Sequence, residues 1–459
     1  MLKRKITKEI DDWYRKKNNA LLIDGARQTG KTTAIENYLN DNGLDYLEIN
    51  LLENSSALEA FNTSKSSDQL LLRISALSSK PLTEGTTVIF IDEIQEADDA
   101  ITPIKFLVQD GRYRFVFTGS LLGVKLQNIT SIPVGFLQII QMYPLDFEEF
   151  ITAFAVSEDT IQYLKVCYEN RKPVDSIIHE QMMTLFNLYL TIGGMPKAVQ
   201  TFIDSKDIST VNGVLADIDS GYRLDISKYN KKEALLIQDI YDLVPSELNN
   251  NNKRFIIKDL NEKARFYKYE SSFAWLVNSG VGLFVYNADN PVYPLLASKE
   301  RTLFKLFLCD VGLLSFKLFS GAQIQILNGH GNLNKGAIYE AVVAQELKAH
   351  GFALFYNNDK KRGEIDFLVE DNNNNILPIE VKSGKDYKRH SAMTQLLSNE
   401  ALNIHQGIIL CNDNISIDEN RIYLPVYMSM FIKKSNSSYS QKVDIDISKL
   451  INWTGKDKY

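Results

Sequence analysis

Three stretches hold residues whose types and spacing suit phosphate chemistry. "GARQTGKTT", Gly25 to Thr33, follows the apolar run "ALLI" and precedes "AIENYL". Gly25 to Thr32 fit G-x-x-x-x-G-K-T, in which glycines let the backbone curl with its N–H groups turned inward around a phosphate chain. Gly25, Ala26, Arg27, Gln28, Thr29, Gly30, Lys31, Thr32 and Thr33 are therefore the expected nucleotide-binding set. Lys31 is expected to reach the terminal phosphates of ATP and Thr32 to offer its hydroxyl to magnesium, at the positive end of a helix starting near Lys31. "VIFIDE", Val88 to Glu93, ends an apolar run in two carboxylates. Asp92 would hold the magnesium through water, and Glu93 would polarise the attacking water as general base. Alone, that run also reads as a buried strand ending in a solvated acidic turn. "FVFTGS" ends in Thr118 and Ser120. Beside the other two strands these hydroxyls would orient the water, with Ser120 a catalytic candidate. Their plainer reading is a strand cap of small hydroxyls.

A second constellation lies in "GEIDFLVEDNNNNILPIEVKSGK". Strands alternate faces, so Leu377, Ile379 and Val381 would point one way and Glu380 and Lys382 the other. The asparagine turn brings Asp366 beside them. Two carboxylates there would bind magnesium, and the lysine would activate a water against a phosphodiester. Glu340, in "IYEAVVAQEL", would supply a further ligand. The D…E-x-K pattern resembles restriction-endonuclease-like folds, which also persist as binding modules. Lys360, Lys361 and Arg362 read equally well as backbone-phosphate contacts or as a solvated loop, and Lys385 and His390 read as surface residues.

The elements around these residues set a division of the chain. Residues 1–150 alternate short apolar runs with helical patterns, which suits parallel strands covered on both faces. Residues 151–230 read as helical, broken at Gly193, Gly194 and Pro196. Residues 231–300 read as helices followed by two short strands, "GVGLFVY" and "PVYPLLA", an order that resembles a winged helix-turn-helix. Residues 301–335 connect, 336–435 form an α/β unit, and 436–459 are a polar tail. Lys253, Arg254, Lys258, Lys263, Arg265 and Lys268, interleaved with Phe and Tyr, make the winged segment either a DNA contact or, slightly ahead, a packing or protein-contact module. Its recognition helix, Tyr269 to Asn278, opens on Glu270 and two serines, which is weak for base readout.

The 459 residues are 44% hydrophobic with net charge −6, enough for real cores and no advertisement of nucleic-acid binding, though a local basic groove fits an acidic protein. Cys167, Cys309 and Cys411 lie too far apart for a zinc spacing, and a reducing cytoplasm fits them. The basic N-terminus lacks an apolar h-region, and no apolar run approaches the roughly 20 residues that cross a bilayer.

Taken together, "GARQTGKTT", "VIFIDEIQ", "FTGSLLG", "YPLDFEEF" and "GGMPKAV" resemble AAA-superfamily prokaryotic ATPases. In these an ATPase core is followed by a helical lid, a winged helix and a nuclease-like C-terminal domain. The resemblance covers nearly the whole chain and implies magnesium-dependent ATP hydrolysis, with Gly194, Met195 and Pro196 packing against the nucleotide. A helix break with Pro at its start reads equally well there. Relatives often carry an arginine finger after a glycine before the fifth strand. Here the stretch is "SIPVGF", with Phe136 at that place, which favours a switch with slow hydrolysis inside one chain and leaves the oligomeric state open. A nuclease-like domain in contact with DNA, a non-cleaving scaffold and a DNA-binding regulator reset by hydrolysis all fit.

Overall fold

Alternating parity of apolar side chains builds the first sheet. In this computed structural model, residues 2–16, 19–97, 102–120, 135–228, 231–319, 321–327, 334–359 and 361–434 are described. Lys360, residues 121–134 with most of "SIPVGF", residues 328–333 and residues 435–459 lie outside them. Strands β1 (Ala20–Asp24), β2 (Tyr46–Asn50), β3 (Val88–Asp92), β4 (Arg114–Gly119) and β5 (Leu137–Gln141) pair in parallel in the order β2-β3-β4-β1-β5. Leu21, Ile23, Val88, Phe90 and Val116 pack with helices Ile6–Lys16 and Lys31–Asp41 on one face. Leu22, Ile49, Ile89, Ile91, Phe115 and Phe117 pack with helices Ser55–Thr63, Ser67–Leu77 and Thr102–Asp110 on the other. Both faces being covered, each strand reads as a nearly continuous apolar run.

Helices Phe147–Ala153, Glu158–Asn170, Ser176–Ile192, Pro196–Ser205 and Ile208–Ser227 follow. Then come helices Lys231–Asn249, Ile257–Leu260 and Glu270–Asn278 and an antiparallel pair, β6 (Gly282–Ala288) and β7 (Lys299–Leu308). "PVYPLLA" is not a strand: it holds turns and a 3-10 turn at Leu295–Ser298. Pro291 and Pro294 have no N–H to give a ladder, so the strand starts only at Lys299. The remaining strands are β8 (Phe355–Asp359), β9 (Gly363–Glu370), β10 (Ile376–Val381), β11 (Gly407–Cys411), β12 (Ser416–Asp418) and β13 (Arg421–Pro425). They join the β6–β7 pair in one eight-stranded sheet, β12-β13-β11-β10-β9-β8-β6-β7. The hairpin reaches that sheet through parallel pairing of Tyr286 with Phe355 and Asn287 with Tyr356.

Helix Gly336–Ala349 is buried from Ala337 to Leu347 on every side, as expected where a helix lies between layers. One continuous core runs from Ala26 and Leu145 through the helices to Ile432. No helix among the described residues is long and apolar enough to cross a membrane.

Buried Asp310, just past β7, fastens this second body to the turn before Pro196. Its Oδ2 accepts from Gly194 N at 2.7 Å and its Oδ1 from Leu313 N at 3.0 Å, while burial pushes its carboxyl up to about 6. Gly193 sits at φ +73, where a Cβ would come 2.2 Å from Asp310 Oδ1. Asp310→Ala strands these buried N–H groups and is expected to lower stability by about 3 kcal/mol, read as an earlier midpoint in chemical denaturation.

Candidate active site

The loop after β1 owes its shape to two glycines. Gly25 (φ +151) and Gly30 (φ +89) hold left-handed backbone, and a Cβ on Gly25 would lie 2.2 Å from Met142 O. Gly30 also opens helix Lys31–Asp41 without a side-chain cap, leaving the first-turn N–H groups to a ligand. Lys31 folds back inside the loop, donating to Gly25 O at 3.0 Å and Ala26 O at 2.8 Å. Burial pushes its amine pKa down, while Glu93, Asp24 and Asp92 pull it up.

Parallel pairing carries the acidic end of β3 to this loop. Asp92 Oδ1 accepts from Thr32 Oγ1 at 3.0 Å and from Thr118 Oγ1, and its Oδ2 accepts from Asn50 Nδ2 at 3.0 Å. Asn50 stands opposite Asp92 in register. Glu93 turns at φ +56; its Oε2 accepts from Ser120 Oγ at 3.3 Å and from Gln95 Nε2. Thr118 Oγ1 also accepts from Glu93 N at 3.4 Å, so both hydroxyls of "FTGS" meet the acidic pair. The donor set, a hydroxyl and a carboxylate oxygen side by side at a helix start, fits magnesium, which favours hard oxygen ligands.

The other loop residues divide. Thr29 Oγ1 donates to Ala26 O at 3.0 Å, Gln28 and Thr33 are exposed, and Arg27 Nη1 reaches away to Asp225 Oδ1 at 2.9 Å. A Cβ on Gly30 would sit 3.5 Å from Pro196 Cγ, so Pro196 faces the loop. Asn50, Gln95 and Arg4 escaped the sequence reading. Arg4 donates to Thr29 O and Tyr143 O, both at 2.7 Å, and to Glu149 Oε1 at 3.2 Å. Nothing in the local pattern marks it, because its partners, two backbone oxygens and Glu149, lie far along the chain.

"YPLDFEEF" is a joint between the two bodies. Asp146 and Glu149 form a capping box on helix Phe147–Ala153. Phe147 N donates to Glu346 Oε1 at 2.7 Å. Burial, with Asp146 nearby, pushes the Glu346 carboxyl up to about 8.

The second constellation also converges. Asp366 precedes Phe367, which pairs with Ile379, so Asp366 neighbours Glu380 across the strands, and Asp366 Oδ2 accepts from Val381 N at 2.8 Å. Lys382 Nζ holds Glu380 Oε1 at 2.6 Å. Two lysines absent from the expectation join them: Lys253 Nζ lies 2.6 Å from Glu340 Oε1 and Lys305 Nζ 3.0 Å from Glu340 Oε2. Lys253 thus faces inward, while Lys258, Lys263, Arg265 and Lys268 stay exposed. His390 is not a surface residue: it is buried, its Nε2 2.6 Å from Tyr423 Oη, because helix Ser391–Leu397 packs the ring onto β13.

Residues 17–151 match the model of a family described as an AAA domain. Residues 183–322 and 335–429 match two models each described as a domain of unknown function, DUF8612 and DUF4143. No curated protein matches the chain. Among solved structures it is similar to the Walker-type ATPase of Pyrococcus abyssi, at 11% identity over 69% of this chain and 96% of that one, with a TM-score of 0.43. It is also similar to a Signal Transduction ATPase with Numerous Domains from Pyrococcus horikoshii that has a tetratricopeptide repeat sensor. That match has 12% identity over 76% of this chain and 45% of that one, with a TM-score of 0.27. Residues 17–151 thus match an AAA domain and form an α/β fold on a parallel sheet.

Arg4→Ala removes the bond to Thr29 O that braces the loop. It is expected to raise the Kd of a fluorescent ATP analogue about tenfold, the equivalent of one charge-assisted hydrogen bond. Arg15→Ala, in an exposed pair on the neighbouring helix, should leave it unchanged.

Proposed function

We propose that the chain is a magnesium-dependent ATPase whose nucleotide cycle is coupled to a restriction-endonuclease-like C-terminal fold. The observation that carries this is the 3.0 Å contact of Thr32 Oγ1 with Asp92 Oδ1, which joins the loop to the acidic strand end although a strand separates β1 from β3. Gly25 to Thr33 would wrap the triphosphate with backbone N–H groups. Lys31 would leave the carbonyls of Gly25 and Ala26 for the terminal phosphates. Thr32 and Asp92 would hold magnesium, which when bound neutralises developing phosphate charge. Glu93 accepts the proton of the attacking water, and Ser120 and Thr118 hold Glu93 in place. Gln95, bonded to both Glu93 and Ser120, restrains the same carboxylate.

Coupling is supported by physical continuity. Pro196 faces Gly30, its turn is bonded to Asp310, and Asp310 lies two residues past β7 of the C-terminal sheet. A triphosphate that moves the Gly30 turn therefore pushes on that sheet through packed backbone. The winged-helix reading is supported by three helices followed by the β6–β7 hairpin. The exposed Lys258, Lys263, Arg265 and Lys268 around exposed Tyr267 favour contact with a nucleic-acid backbone as a second reading.

Lys31→Ala should abolish ATP binding in calorimetry, and Glu93→Gln should retain ATP while losing at least 100-fold in hydrolysis rate, about the size of a general-base contribution. Wild-type turnover in both variants would refute the assignment. For the second reading, Lys258, Lys263 and Arg265 changed together to Glu should remove salt-sensitive DNA binding; unchanged binding would refute it.

A further inference from the structure

The endonuclease-like pattern calls for a divalent cation between Glu340, Asp366 and Glu380, and the side chains around them do not fit one. Lys305, on β7, is fully buried and reaches into the middle of the carboxylates. Its Nζ lies 2.6 Å from Glu364 Oε1, 3.0 Å from Glu340 Oε2 and 3.8 Å from Asp366 Oδ1. Lys253 Nζ takes the other oxygen of Glu340, Val381 N takes Asp366 Oδ2, and Lys382 Nζ takes Glu380 Oε1. Of these oxygens only Glu380 Oε2 is buried without a hydrogen-bond partner.

We infer that Lys305 is the built-in counter-ion of this cluster, standing where the metal of a cleaving enzyme would sit, so that the C-terminal fold holds no catalytic cation and does not cut phosphodiesters. Four carboxylates, Glu340, Glu364, Asp366 and Glu380, face three ammonium groups. A buried cluster so nearly balanced gains little from a doubly charged ion. Magnesium needs its oxygens at about 2.0–2.1 Å in octahedral array, on the side that the Lys305 ammonium fills, and the two cations would repel at close range. Lys382, the residue that would activate water, is instead closed onto Glu380. Among the described residues no group of three or more His, Cys, Asp or Glu is disposed to hold a metal ion. The lysines come from outside the D…E-x-K stretch, Lys253 from the turn after helix Lys231–Asn249 and Lys305 from the hairpin. The cluster therefore ties the preceding segment to helix Gly336–Ala349 and β9, which is a holding role.

The test is a Mn2+ titration of the full nucleotide-free chain, followed by electron paramagnetic resonance, in an Asp92→Asn background that removes the cation ligand of the ATPase domain. Adding Asp366→Asn is expected to change nothing, since no ion is bound there; a Mn2+ ion lost with Asp366→Asn would overturn the inference. Lys305→Met in the same background, checked for folding by circular dichroism, is expected to gain one Asp366-dependent Mn2+. A folded Lys305→Met chain that gains none would show that the ammonium is not what excludes the cation, and would also overturn it. Should that variant not fold, the Asp366→Asn comparison still decides. Plasmid DNA with Mg2+ or Mn2+, with and without ATP, is expected to stay intact, and nicking that disappears with Asp366→Asn would refute the inference whatever the fate of the ATPase assignment.

Discussion

A carboxyl group withdrawn from water is costly unless donors surround it. Asp92 is ringed by Thr32 from the loop and helix after β1, Thr118 from β4 and Asn50 from β2. Those donors come from three separate elements, so the bonds hold only when β2, β3, β4 and the loop lie in one register. The strand order β2-β3-β4-β1-β5 supplies that register and puts every strand end of the site at the same edge. Glu93 inherits its position from the same ring, one residue on, through the turn at φ +56 and the hydroxyls of Thr118 and Ser120. The geometry of the site is a consequence of how one buried carboxyl group is satisfied.

The remainder of the chain is arranged around a second set of buried carboxyl groups. Asp310 is held by backbone N–H groups, Glu346 by Phe147 N, and Glu340 by Lys253 and Lys305. Each joins elements far apart in sequence, and each sits at a boundary between layers. Burial makes a lost partner costly, so these contacts fix which layers meet and at what offset, a specificity that apolar packing alone supplies less sharply.

Local pattern made much of this legible. "VIFID" and "FVFTG" read as buried strands because their β-branched and aromatic runs are short and bounded by Gly, Asp and Ser, and G-x-x-x-x-G-K-T is its own signature. Asp366 and Glu380 could be paired from the turn between them. What stayed hidden depends on distance along the chain. Arg4 meets carbonyls of Thr29 and Tyr143, and Lys305 fell in residues 301–335, read as a connection with no partner for its charge. His390 was misread because a lone histidine in a polar stretch carries no mark of the tyrosine that covers it. "PVYPLLA" was misread for the opposite reason: its apolar content spoke for a strand, and its two prolines spoke against.

The core that runs unbroken from Leu145 to Ile432 bears on how such a chain can change over generations. A module joined by a flexible linker can be exchanged whole by recombination, because few contacts cross its border. Here the border is crossed by Glu346 bonded to Phe147, by Asp310 bonded to Gly194, and by a hairpin whose strands finish another unit's sheet. A foreign C-terminal half would arrive without those partners and leave buried polar groups and strand edges bare. The two halves must therefore drift together, each substitution at the seam answered across it, and the lineage inherits the seam as a unit.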